Sequence, residues 1–207
     1  KTNVGRGRPS GGLCIFCKSY LAPYLEVKRS KTQHVAWVGI LEPVLARRTW
    51  FIFIYARPEM EDEYYLTLFE HISKKNEELI KHDQKNDFLT HFVYGGDFNT
   101  RLGSITHDTD SNGKPFVHRH SKIFLKFIEK QKLCIANVTF SALANTYIGT
   151  SNRRRGSVVD YFLVPKTVIS NVTNFEVHPK DLFCDHRLLS IQWKTQIKIT
   201  MKLPPPK

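Results

Sequence analysis

Gly95-Gly96-Asp97-Phe98-Asn99 is the stretch on which the reading of this sequence turns. It follows His91-Phe92-Val93-Tyr94, a short run with the composition of a buried strand. Two glycines let the backbone turn tightly where that strand ends. Asp97 and Asn99 then stand two residues apart, which sets a carboxylate and an amide on one side of the chain. Alone, a Gly-Asp pair is ordinary turn chemistry, so its weight depends on what else the sequence offers.

Two later segments repeat the arrangement. Ser157-Val158-Val159-Asp160-Tyr161-Phe162-Leu163-Val164 sets a carboxylate within an apolar strand, a costly placement unless the charge has a partner. Cys184-Asp185-His186 stands directly before the apolar run 188–193. The three segments together supply carboxylates, an orienting amide and an imidazole, each beside a strand. That is the set of groups needed for metal-assisted phosphodiester hydrolysis.

Working outward, further strands are predicted at 13–17, 35–41, 50–55, 133–138 and 172–177. A helix is predicted over 59–82, where Tyr65, Leu68, Phe69, Ile72 and Leu79 recur at helical spacing behind an acidic first turn. A second helix is expected over 121–132. The polar segment 97–117 reads as a loop, as do the Gly-, Arg- and Pro-rich residues 1–11. Residues 194–207 end in Pro-Pro-Pro and read as a tail or linker. Strands with two intervening helices predict a mixed α/β domain of helix layered against sheet. At 207 residues the chain is long enough for one such domain.

Lys and Arg number 31 against 19 acidic residues, a net charge of +12. An excess of that size points to a polyanion, either nucleic acid or an anionic membrane surface. No apolar run approaches the roughly 18 residues of a membrane span, and no signal peptide opens the chain. Cys14 and Cys17 have a C-x-x-C spacing, yet no second pair follows, so they read as packing residues of the 13–17 strand. The few cysteines suggest a reducing, intracellular compartment. The Asn-Val-Thr sequons at Asn137 and Asn171 accordingly read as chance.

As an ordered set, the three motifs resemble those of the endonuclease/exonuclease/phosphatase superfamily, whose members include pancreatic deoxyribonuclease, abasic-site endonucleases and sphingomyelinases. Arg8-Pro-Ser-Gly-Gly-Leu13, Tyr55-Ala-Arg-Pro58 and Leu133-Cys-Ile-Ala-Asn137 are more specifically similar to the endonucleases of non-LTR retrotransposons. The resemblance runs from about Gly5 to Trp193. It implies a four-layer α/β/β/α sandwich over residues 1–193, Mg²⁺ or Mn²⁺ as cofactor, DNA as partner and a nuclear setting. A C-terminal continuation such as a reverse transcriptase is a further expectation.

By the same resemblance, Asp97 is the carboxylate that deprotonates the attacking water and Asn99 the amide that orients it. Asp185 is a metal-side carboxylate, His186 contacts the scissile phosphate, and Asp160 holds and charges that histidine. Tyr55 matches a phosphate-contacting position. Thr146 matches a polar residue near the DNA, with a buried strand threonine an equal alternative. Arg153, Arg154 and Arg155 fall in a turn at the rim, where they could meet phosphates, or form a solvated loop or localisation signal. His107, Asp108 and Asp110 could be imagined as a second metal site but read better as a polar loop. His118 and His120 are expected to be solvent-exposed.

Two departures qualify the resemblance. Cys184 stands where the family carries Ser. The family also begins with a strand bearing an active-site Asn and another bearing the main metal-binding Glu, whereas no acidic residue here precedes Glu26. Measured against that pattern, either the domain is N-terminally incomplete or another segment completes its sheet. The rival reading is a catalytically degenerate module that binds nucleic acid or serves structurally. A phosphatase or sphingomyelinase is a third, disfavoured by the charge.

Overall fold

Near-continuous apolar runs in the first half of the chain build a sheet around a single crossover, with both faces covered. The structure, a computed structural model, describes residues 13–30, 34–42, 46–58, 61–148, 156–180 and 184–194. Strands β1 (Leu25–Arg29), β2 (Val35–Glu42) and β3 (Arg47–Tyr55) form an antiparallel meander. Helix α1 (Asp62–Gln84) then carries the chain back so that β4 (Leu89–Asp97) lies parallel to β3. Beyond a long loop follow α2 (Ser121–Lys130), β5 (Leu133–Ile135), the short α3 (Ala136–Thr139) and β6 (Asp160–Pro165). The six strands stand in the order β1-β2-β3-β4-β6-β5, and β7 (Val172–Val177) pairs with β8 (Leu189–Trp193) in a separate two-stranded sheet.

Each face of the large sheet buries its own core. On one face Trp37, Trp50, Ile52, Ile54, Tyr94 and Leu163 pack against Tyr65, Phe69 and Ile72 of α1 and Phe124 and Phe127 of α2. On the other, Val93 and Val164 meet Val172 and Phe175 of β7, with Phe51, Phe162, Ile191 and Trp193 packed around them. Burial of one such side chain stabilises the fold by about 1.5–3 kcal/mol, so these two layers supply the main driving force. Helix α1 forms because its apolar positions fall on one stripe. Asp62 and Glu63 in its first turn and Lys81 and His82 in its last complement the helix dipole.

Asn76 and Asp83, drawn into the first core, are each held by several partners. Asn76 accepts from Trp37 Nε1 at 3.0 Å and donates to Tyr94 Oη at 2.9 Å. Asp83, fully buried at the C-terminal end of α1, accepts from Arg48, Trp50 Nε1 and Thr90 at 2.9–3.0 Å. Arg48 also reaches Glu26 on β1 at 2.7 Å.

Some expectations need correction. Residues 13–17 form no strand. They line an apolar groove over β1–β3 together with Val38, Ile40, Phe51 and Phe53, and no strand among the described residues partners them. Cys14 and Cys17 are exposed and Phe16 is 90% exposed, so these are not packing residues. The strand expected over 133–138 stops at Ile135, and Ala136–Thr139 turns into α3 because Asn137 folds inward. β1 has no counterpart among the predicted strands, since Leu25-Glu-Val-Lys-Arg29 carries only two apolar residues. Among the described residues no helix is long and apolar enough to cross a membrane. The Pro-ending tail beyond residue 194, residues 1–12 and the three arginines 153–155 lie outside the described residues.

Candidate active site

Three neighbouring strands end side by side and present their last or first residues together. Tyr55 of β3 is aligned with Asp97 of β4, and Asp97 is aligned with Asp160 of β6. Aligned positions of paired strands project to the same face, so the phenol and both carboxylates share one mouth. Getting the strand there requires Gly96, whose φ is +136° and whose added Cβ would collide with the carbonyl of Ile54. Only glycine fits that conformation at no steric cost.

Asp97 and Asn99 make a closed unit. The backbone N–H of Asn99 donates to Asp97 Oδ1 at 2.8 Å and its carboxamide donates to Asp97 Oδ2 at 2.9 Å. The same carboxamide nitrogen donates to the Ala56 carbonyl at 2.7 Å. Asn99 sits at φ 45°, a left-handed conformation that asparagine tolerates better than most residues.

Asp160 and His186 form the second unit. The imidazole Nδ1 lies 2.9 and 3.2 Å from the two oxygens of Asp160, while Nε2 faces Asp97 Oδ2 at 4.0 Å. The segment bearing His186 is pinned alongside 146–148. Ile148 N–H donates to the Asp185 carbonyl at 2.8 Å, and Arg187 N–H to the Thr146 carbonyl at 2.7 Å. The ring of Tyr147 lies 5.0 Å from that of His186.

The backbone of Asp160 is gripped from both sides. Thr146 Oγ1 accepts the N–H groups of Val159 and Asp160 at 3.0 Å each. Asn137 Nδ2 donates to the Asp160 carbonyl at 3.1 Å. Both side chains are fully buried, so Thr146 takes the place of a buried structural threonine and supports the site from beneath. Asn137, in sequence only part of a motif and a chance sequon, is a supporting residue whose role no spacing rule reveals.

Electrostatics follow from two carboxylates facing each other across adjacent strands. Burial, reinforced by the Asp160 charge, pushes Asp97 up to about 7, against the opposing pull of the Asn99 hydrogen bonds and of His186. Hydrogen bonding to Asp160 raises His186 above its usual value, against a smaller opposing effect of burial. Asp97, Asp160 and His186 each offer a ligand atom, all within 4.8 Å of one another. Oxygen-rich donors repelling one another in a half-buried mouth fit a hard divalent cation. Asp185 contributes charge beside His186 but stands outside that three-residue group.

The remaining candidates separate from the mouth. Asp108 is buried and accepts from Val158 N–H at 3.0 Å and from Thr106 Oγ1, so it braces the approach to β6. Asp110 closes a turn by accepting from the N–H groups of Asn112 and Lys114, and His107 is exposed. His118 and His120, expected in solvent, are instead drawn under Asn99, and His120 is only 7% exposed.

No family model and no curated protein matches the sequence. Solved structures do match the fold. The endonuclease domain of TRAS1, a telomere-specific non-LTR retrotransposon, superposes with a TM-score of 0.62 at 15% identity, over 84% of this chain and 70% of that one. The 3' phosphatase NExo from Neisseria, bound to a product DNA hairpin, gives 0.57 at 12% identity over 80% and 66%. The AP endonuclease LMAP from Leishmania major gives 0.56 at 13% identity over 86% and 64%. The chain thus spans about two thirds of the length of these proteins. The fold of this protein is therefore the deoxyribonuclease-like fold of the endonuclease/exonuclease/phosphatase proteins.

Proposed function

We propose that this chain is the catalytic part of a divalent-metal-dependent endonuclease that nicks DNA, of the retrotransposon type. The observation that carries the reading is the meeting of two hydrogen-bonded pairs, Asp97 with Asn99 and Asp160 with His186, at one mouth. In this reading Asp97 accepts the proton of the attacking water and Asn99 keeps its carboxylate aimed. His186, held as an imidazolium by Asp160, faces the negative charge that grows on the phosphate. Tyr55 lines the mouth beside Asp97 as a phosphate contact, and Asp185 adds negative charge on the metal side. The carboxylates of Asp97 and Asp160, with Asp185 nearby, would hold Mg²⁺ or Mn²⁺, which when bound supplies Lewis acidity toward a phosphoryl oxygen. DNA is the polyanion that the net charge of +12 suits.

Incubation of supercoiled plasmid with the protein and Mg²⁺ should yield nicked circles, and EDTA should abolish them. Asp97→Ala and His186→Ala should each lower the rate at least about a hundredfold. DNA binding without nicking in any divalent metal would favour a degenerate binding module instead.

A further inference from the structure

Beneath the Asp97–Asn99 turn lies a pair of rings that the proposed chemistry does not use. Tyr65 of α1 and His120, the residue immediately before α2, stack face to face with centroids 3.9 Å apart and planes 9° from parallel. Each ring directs its polar atom at the turn. Tyr65 Oη donates to the Phe98 carbonyl at 3.1 Å, and His120 Nε2 lies 3.2 Å from the Asn99 carbonyl. Tyr65 is fully buried, and burial holds His120 below its usual pKa, so the neutral ring carries one N–H to give. His118 approaches the same Asn99 carbonyl through Nδ1 at 3.0 Å, but Arg101 N–H also points at that nitrogen from 3.2 Å. One ring nitrogen cannot donate and accept at once; with Nδ1 accepting the Arg101 N–H, His118 gives the carbonyl nothing and the support comes from Tyr65 and His120.

We infer that the stacked Tyr65–His120 pair is a positioning clamp: by holding the successive carbonyls of Phe98 and Asn99, it fixes the left-handed turn and aims the Asn99 carboxamide at Asp97. This rests on the hydrolytic reading above, in which Asn99 orients the general base. The geometry is demanding because Asn99 stands at φ 45° with its carboxamide shared between Asp97 and Ala56. A turn released on its carbonyl side can relax and withdraw the amide, and small displacements of an orienting group are expensive in rate.

The test uses two substitutions that separate donor from stack. His120→Phe keeps an aromatic ring on Tyr65 and removes the N–H, whereas His120→Gln restores a donor at the place of Nε2. Per folded molecule, His120→Phe should lower kcat about tenfold with KM for DNA within twofold, and His120→Gln should recover most of it. Independently of turnover, the Asn99 side-chain amide protons should resonate as a hydrogen-bonded pair in the wild type and in His120→Gln. In His120→Phe they should move to free-amide shifts. Unchanged kcat and an unchanged Asn99 signature in His120→Phe overturn the clamp. Should the wild type hydrolyse no DNA at all, the nuclease reading fails, and the Asn99 signature alone decides whether the clamp holds.

Discussion

Asp97 shows how a single side chain can be set against the stability of its own fold. Its carboxyl is pushed up to about 7, chiefly by burial and then by Asp160, whereas an unfolded aspartate titrates near about 3.9. Between those values the folded protein holds a proton that the unfolded chain has lost, so stability falls as pH rises through that window. Without divalent ions, Asp97→Asn should therefore unfold at a higher temperature than the wild type at pH 8, by an equivalent of about 1 kcal/mol or more. The advantage should shrink toward pH 4, and an advantage independent of pH would remove the argument. At this scale the sequence is legible wherever chemistry sits in a short motif. Asp97, Asn99, Asp160 and His186 all stand out in the sequence and meet in the fold. His120 does not, because nothing in Phe116-Val-His-Arg-His120 tells that the ring will stack on a tyrosine fifty-five positions earlier.

Strands place the mouth, and their ends are where substitution is least tolerated. Gly96→Ala forces a Cβ onto the Ile54 carbonyl at a positive φ. It should cost more than about 1 kcal/mol in thermal unfolding and displace Asp97 from its partners. A variant as stable and as active as the wild type would show that the strand end can shift freely. The helical periodicity of α1 and the near-continuous apolar run of β2 are readable because each carries its burial in its sequence. β1 is not, since an edge strand that alternates Glu26, Lys28 and Arg29 with only two apolar residues looks like a loop. The reverse error at 13–17 has the same root. An apolar run predicts burial, but a strand also needs a neighbour's backbone to pair with, and none among the described residues is offered there.

For the molecule as a whole, charge and shape make separate demands. If the +12 excess serves DNA, affinity should fall steeply with salt. Replacing Arg153, Arg154 and Arg155 by Ala should then flatten the slope by about one unit for each phosphate left without its arginine. A slope indifferent to the arginines would assign that excess to other surfaces. The other demand concerns α1, which at 23 residues is about 34 Å long. Its first turns carry Tyr65 against Phe98, and its last carries Asp83 into the cluster with Arg48 and Trp50 at the far end of β3. Asp83→Asn should weaken that cluster by about 2 kcal/mol or more, seen as a lowered unfolding temperature, while turnover per folded molecule stays as it was. A fall in turnover would mean that the two ends communicate. The helix is in effect a strut with unlike joints, one gripping the reacting turn and one anchored in a knot of charge. Thermal robustness can then drift at the anchored joint through many substitutions while the reacting turn keeps its aim.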